Sequence, residues 1–144
     1  MAFLSACSGA ILAPPALDEA AKARQPAPGR GLIYVYRPSS AGIEVHHTLR
    51  VNGNAVGLLD AETYYVLDRP PGKVKLTIES VHSFSLDVDL GAGQTRYVRV
   101  RLAPDESRLG GGMRISFSGF PLEANGKEAV EDLKHCRLIE LLVY

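Results

Sequence analysis

Three segments between Lys73 and Leu102 alternate apolar and polar residues without a break. In Lys73–Glu79, Val74, Leu76 and Ile78 fall on one side, with Lys73, Lys75, Thr77 and Glu79 on the other. In Ser83–Leu90 the apolar set is Phe84, Leu86, Val88 and Leu90, opposite Ser85, Asp87 and Asp89. In Thr95–Leu102 it is Val98, Val100 and Leu102, opposite Tyr97, Arg99 and Arg101. Strict period-2 alternation describes a strand with one buried and one wet face. Four shorter runs are also strand-like. Leu32–Arg37 is β-branched and aromatic and is stopped by Pro38; Val45–Val51, Ala55–Leu59 and Thr63–Leu67 follow.

The turns between these runs carry their own chemistry. Asn52-Gly53 lies between two apolar-patterned segments, the strongest short-range signal for a hairpin. Pro70-Pro71-Gly72 suits a tight turn, the prolines setting φ and the glycine taking a positive one. Gly91-Ala92-Gly93 is read as a hairpin joining the last two alternating strands, with Asp87 opposite Tyr97. The polar stretch Pro104–Gly112 is read as a loop before one more strand, Met113–Ser118.

At the C-terminal end the period changes to that of a helix. Ala129, Val130, Leu133 and Cys136 recur at i, i+3/i+4 spacing within Gly126–Cys136, and Asn125 suits the N-cap. Acidic residues lead this segment and basic ones close it, matching the helix dipole. The apolar tail Leu138–Tyr144 either pairs as an edge strand, the favoured reading, or continues the helix. The expected fold is all-β: an antiparallel β-sandwich of about seven or eight short strands with one C-terminal helix.

Residues 8–30 show no sustained period and contain Pro14, Pro15, Pro26 and Pro28, with one or two transient helical turns available over Leu17–Arg24. They are expected to form a tether with an end-to-end distance of roughly 25–30 Å. Ahead of it stands Leu4-Ser5-Ala6-Cys7, a run of small residues ending in cysteine. This resembles the lipobox at which bacterial lipoproteins are cleaved and lipidated. The division expected is a signal-peptide remnant over 1–6, an anchor cysteine and tether over 7–30, and a β-domain over 31–144. A modification carrying several acyl chains would hold the protein on a membrane. No apolar run approaches the roughly 20 residues of a spanning helix. Ser8, where inner-membrane lipoproteins typically carry Asp, resembles the outer-membrane type.

Composition changes this picture little. The 144 residues fit one domain, and 16 Lys and Arg balance 16 Asp and Glu, so no nucleic-acid footprint is expected. Of the two cysteines, Cys136 is a lone buried thiol if Cys7 is lipidated; otherwise a Cys7–Cys136 disulfide becomes available.

In order along the chain, Tyr34-Val35-Tyr36-Arg37-Pro38, Val51-Asn52-Gly53 with Val56-Gly57, Pro70-Pro71-Gly72-Lys73, Leu90-Gly91-Ala92-Gly93-Gln94-Thr95 with Tyr97-Val98-Arg99, and Leu133-Lys134-His135-Cys136 resemble the bacterial lipoproteins of the family known as domain of unknown function 2846. The likeness spans about Gly31–Leu138. It implies a lipid-anchored envelope protein with a β-sandwich-like domain, and it brings no catalytic residues with it.

Candidate chemistry is sparse. His46 and His47 are adjacent on a strand and point to opposite faces, so they do not share an ion. His82 is expected in a turn. His135 and Cys136 are helix neighbours that do not face each other, so no activated thiol is expected. Asp87 and Asp89 lie on a wet strand face, without the cleft that a glycosidase pair needs. Gly110-Gly111-Gly112 lacks the Lys-Ser/Thr of a phosphate loop. What remains is a surface: Tyr64, Tyr65 and Tyr97 as exposed aromatics, and a basic stripe of Arg96, Arg99 and Arg101 partly neutralised by Asp87 and Asp89. The expectation is a non-enzymatic protein, without metal or cofactor, anchored through Cys7 to the outer membrane and facing the periplasm. It would bind an envelope protein or a cell-wall component. The alternative is a periplasmic module for glycan, peptidoglycan or peptide, using Tyr64, Tyr65, Tyr97, Arg99 and Arg101.

Overall fold

Two β-sheets pack face to face because the strands present one continuous apolar face each, and neither face can remain in water. The computed structural model describes residues 11–38, 46–80, 82–109 and 112–140. In chain order the elements are α1 (Pro15–Lys22), β1 (Gly31–Arg37), β2 (His47–Val51), β3 (Asn54–Leu59), β4 (Thr63–Arg69), β5 (Gly72–Glu79), β6 (Ser83–Leu90), β7 (Thr95–Leu109), β8 (Gly112–Ala124), α2 (Gly126–Leu133) and β9 (Arg137–Leu138). One sheet has the order β8-β7-β1-β4-β9 and the other β3-β2-β5-β6. The fold is the expected all-β sandwich, with nine strands among the described residues.

The interior is built from the inward positions of the alternating strands. Ile33, Val35, Tyr65, Leu67, Val98 and Val100 come from the five-stranded sheet; Leu49, Val51, Val74, Leu76, Ile78, Val88 and Leu90 come from the other. Asn52-Gly53 closes the β2–β3 hairpin with both φ values positive (50° and 85°), as its residue types demand. Gly57 has φ +155°, and a Cβ there would stand 2.5 Å from the Tyr65 hydroxyl oxygen, so this position needs glycine.

The Gly91-Ala92-Gly93 expectation is corrected. β6 and β7 lie in different sheets, so Asp87 faces Lys75 and Asp89 faces Lys73 across β5–β6, and neither lies opposite Tyr97. Instead, the segment carries the chain from one sheet to the other. Gly93 N donates to Arg30 O and Leu32 N to Gln94 O. Pro70-Pro71 likewise joins β4 to β5 across the two sheets.

The polar stretch Pro104–Gly112 is also corrected: it lies largely in strands. β7 and β8 form one long hairpin, paired from Tyr97↔Ala124 to Leu109↔Gly112. Beyond Arg99, β7 no longer pairs with β1, so Pro104 lies on an open edge where its missing N–H costs no ladder bond. Gly110-Gly111 lies outside the described residues, as do Leu4–Cys7, Val45 and residues 141–144 of the apolar tail. Of the described part of that tail, Leu138 belongs to a short strand, β9, parallel to β4, and Ile139 bridges to Leu12.

Residues 11–24 do not form part of a free tether. Ala13 is buried, Leu12 bridges to Ile139, and α1 packs on the outer face of the five-stranded sheet. Pro15 begins α1, where a missing N–H costs nothing, and Asp18 and Lys22 pair at i, i+4. At the other end Asn125 caps α2, its Oδ1 accepting from Glu128 N at 2.9 Å. α2 ends at Leu133, before the expected Cys136.

Candidate functional site

β1 lies at the centre of its sheet and is buried at every position, which means that both of its faces are covered. Its outward side chains, Leu32, Tyr34 and Tyr36, form a second cluster with Tyr64, Val66, Ala129, Leu133 and Cys136 beneath the helices. Tyrosine suits this layer because the ring buries apolar area while the hydroxyl reaches a polar partner. Tyr34 Oη donates to Ala21 O at 2.5 Å, Tyr64 Oη to Asp18 Oδ1 at 2.5 Å, and Tyr36 Oη to Asp132 Oδ2 at 3.2 Å. Two of these bonds hold α1 and one holds α2.

The tyrosines also form a row. Tyr34 stacks on Tyr97 with ring centroids 5.3 Å apart and on Tyr64 at 6.2 Å. Where the row reaches Tyr97 it emerges into a notch between the helices. Tyr34, Tyr97, Val130 and Leu133 provide apolar walls, Lys22 and Lys134 stand at its rim, and the cavity holds about 110 Å³. Val130 is 49% exposed there. The lysines are partly engaged, Lys22 with Asp18 at 3.3 Å and Lys134 with Glu131 at 2.7 Å.

Burial shifts the protonation of these groups. The hydroxyls of Tyr36 and Tyr64 are held far above the usual phenol range, by desolvation first and then by Asp132 and Asp18. Tyr34 is raised by burial and by Tyr97. Burial, then Asp132, pushes the Cys136 thiol up to about 12. That is the opposite of nucleophile activation, so at neutral pH Cys136 is a protonated thiol packed 3.9 Å from Arg37 O. His135 beside it is exposed.

The five residues expected to form a binding surface do not gather. Tyr64 and Tyr65 are 0% and 2% exposed and point to opposite faces of β4, one under the helices and one into the sandwich. Neither is an exposed ring, because the strand is covered on both sides. Tyr97 is half-buried and does line the notch. Arg99 and Arg101 are exposed, and Arg99 sits beside Tyr36 in register. Arg96 does not extend a stripe with them: it pairs with Glu123 on the neighbouring strand. The charges of Asp87 and Asp89 belong to the other sheet.

A second polar group occupies one end of the sandwich. Arg37 and His47 are fully buried, Arg37 Nη1 donates to Leu59 O at 3.2 Å, and exposed His46 lies 2.7 Å from Asp60. Desolvation lowers the Arg37 pKa, and nearby Asp60 opposes that shift. The two adjacent histidines thus diverge, as strand geometry requires. Among the described residues no three His, Cys, Asp or Glu side chains are grouped to hold a metal ion.

Sequence reasoning missed Lys22, Tyr34, Val130, Leu133 and Lys134 as one site. Pro15 with Leu17 and Ala21 at i, i+4 marks the start of a short helix, and that was the available signal. No helix among the described residues is long and apolar enough to cross a membrane. No curated protein and no solved structure matches the chain. Residues 27–113, more than half of the chain, match the family described as protein of unknown function (DUF2846), and the chain belongs to that family.

Proposed function

We propose that this is a non-enzymatic, lipid-anchored protein of the bacterial cell envelope. A lipid on Cys7 holds it on the outer membrane, facing the periplasm, and it binds another envelope component at the notch between α1 and α2. The single observation that carries the anchor is the run Leu4-Ser5-Ala6-Cys7. Support for the notch comes from its chemistry: stacked tyrosine rings and exposed Val130 for an apolar group, with two ammonium groups for a carboxylate.

Size favours a peptide occupant over a glycan. A cavity of 110 Å³ is smaller than the roughly 150 Å³ that admits a benzene ring, so it takes one aliphatic side chain rather than a sugar ring. The burial of Tyr64 and Tyr65 also removes the flat aromatic platform that a glycan would need.

Mass spectrometry of the mature N-terminus tests the anchor, using cells that express the gene with its upstream sequence. A first residue Cys7 bearing lipid is the expected result; an unmodified Cys7 overturns it. A photo-crosslinking residue at Val130 tests the notch. A discrete crosslinked product that disappears with Tyr97→Ala is expected, and a product unchanged by that substitution overturns the assignment.

A further inference from the structure

We propose that the domain rests directly on the membrane through the edge formed by residues 11–17, rather than hanging from a tether. This deepens the lipid-anchor reading and depends on it.

The first observation is where the chain joins the sandwich. Glu140 N donates to Ile11 O and Ala13 N to Leu138 O, both at 2.8 Å, and Leu12 bridges to Ile139. Immediately afterwards α1 is held by the hydroxyls of Tyr34 and Tyr64. From Ile11 through α1 the polypeptide is therefore part of the folded body.

The second is the length of chain left over. Four peptide steps separate Cys7 from Ile11, which extend to at most about 14 Å. The headgroup layer on one side of a bilayer takes up roughly 5–7 Å of that. An acyl chain on Cys7 thus holds Ile11 close to the headgroups, whatever path the three intervening residues take.

The third is what that edge exposes. Ile11 is 58% exposed, Leu12 37% and Leu17 54%, three of the five large hydrophobics exposed among the described residues. Leu17 also lines an open groove with Ala13, Val66, Leu138 and Ile139. Most of the large apolar side chains left exposed among the described residues are therefore those that the leash brings to the lipid; Leu122 and Val130 lie elsewhere. Of the nearby charges, Lys22 on α1 pairs with Asp18 and Arg24 beyond it with Asp68, while Glu19 and Glu140 are exposed; both cations have a partner within the protein, so the contact is apolar and tolerant of salt. The occupant is the interface of the bilayer that carries the anchor, entered to the shallow depth typical of surface-lying apolar faces.

The test uses the full chain, expressed with its upstream sequence and reconstituted into phosphatidylcholine vesicles. An environment-sensitive, thiol-reactive fluorophore is placed at Leu17→Cys and, separately, at Asp87→Cys on the opposite face of the sandwich. Cys136 is buried with its thiol pKa raised, so it stays unlabelled. A quencher attached to lipid headgroups should quench the Leu17 position several-fold more than the Asp87 position, and added salt should not reverse this. Equal quenching at the two positions, with mass spectrometry showing lipid on Cys7, overturns the docking and leaves the anchor standing. A Cys7 without lipid removes both.

Discussion

The outer faces of the two sheets are built on the same alternating pattern and end in opposite conditions. On the four-stranded sheet the outward residues of β5 and β6 are charged or hydroxylic, and they pair across strands. Lys73 faces Asp89, Lys75 faces Asp87, the hydroxyls of Thr77 and Ser85 are 2.8 Å apart, and Arg50 meets Glu79 at 2.7 Å. That face is complete in water. On the five-stranded sheet the outward residues include Tyr34, Tyr36, Tyr64 and Tyr97, and such rings need cover. Two eight-residue helices provide it, fixed by phenol hydroxyls. The cover leaves a gap at Tyr97, and the candidate notch is that gap. In this sandwich, binding chemistry arises where the covering is incomplete, not where charge is densest.

The comparison is broken most severely by removing a ring from the covered face. Tyr64→Ala should cost about 3–5 kcal/mol, since it leaves a cavity and removes the hydroxyl bond to Asp18. Denaturant unfolding measures the loss, and the midpoint should fall with little change in slope. Raising the pH attacks the same layer and the Tyr65 site without mutation. Cys136 and Tyr65 have ordinary values of 9.0 and 10.0, and burial raises both to about 12. Unfolding frees each group to ionise at its ordinary value. The stabilisation is therefore complete below about pH 9 and is lost as pH climbs from there to about 12. Thermal unfolding across that range should show a steady fall in melting temperature; a flat profile would sink the prediction.

Smaller changes sharpen the contrast. Tyr36→Phe keeps the ring and deletes the hydroxyl bond to Asp132, for a cost of about 1 kcal/mol. Hydrogen exchange should show faster opening of α2, with the amides of β5 and β6 unaffected. On the wet face, Asp87→Ser removes one member of an exposed cross-strand pair and should cost a fraction of a kcal/mol. If it cost as much as Tyr36→Phe, the two faces would not differ in the way described.

Strand positions and facing were largely legible in the sequence. The inward sets of β5, β6 and β7 are those that the alternation assigned, because water sorts side chains residue by residue. Pairing was less legible. β6 and β7 lie in different sheets instead of sharing a hairpin, and alternation looks the same in either case. The Pro104–Gly112 stretch has poor strand formers, yet the hairpin ladder gives its backbone partners that propensity does not count. The candidate site was the least legible part. Lys22, Tyr97 and Lys134 lie far apart in sequence, and Tyr64 and Tyr65 carry no mark that says their strand is covered on both sides.

By itself, then, the amino-acid order determined most of the strands, the Asn52-Gly53 turn, the capped C-terminal helix, the all-β class and the family likeness. Each of these is a local preference or a period, written in neighbouring residues. Only the tertiary structure decided which strands share a sheet, that residues 11–24 join the domain, and that a notch opens beside Tyr97. Those depend on contacts between segments distant in sequence, where burial and hydrogen bonding outweigh the weak preferences of any short stretch.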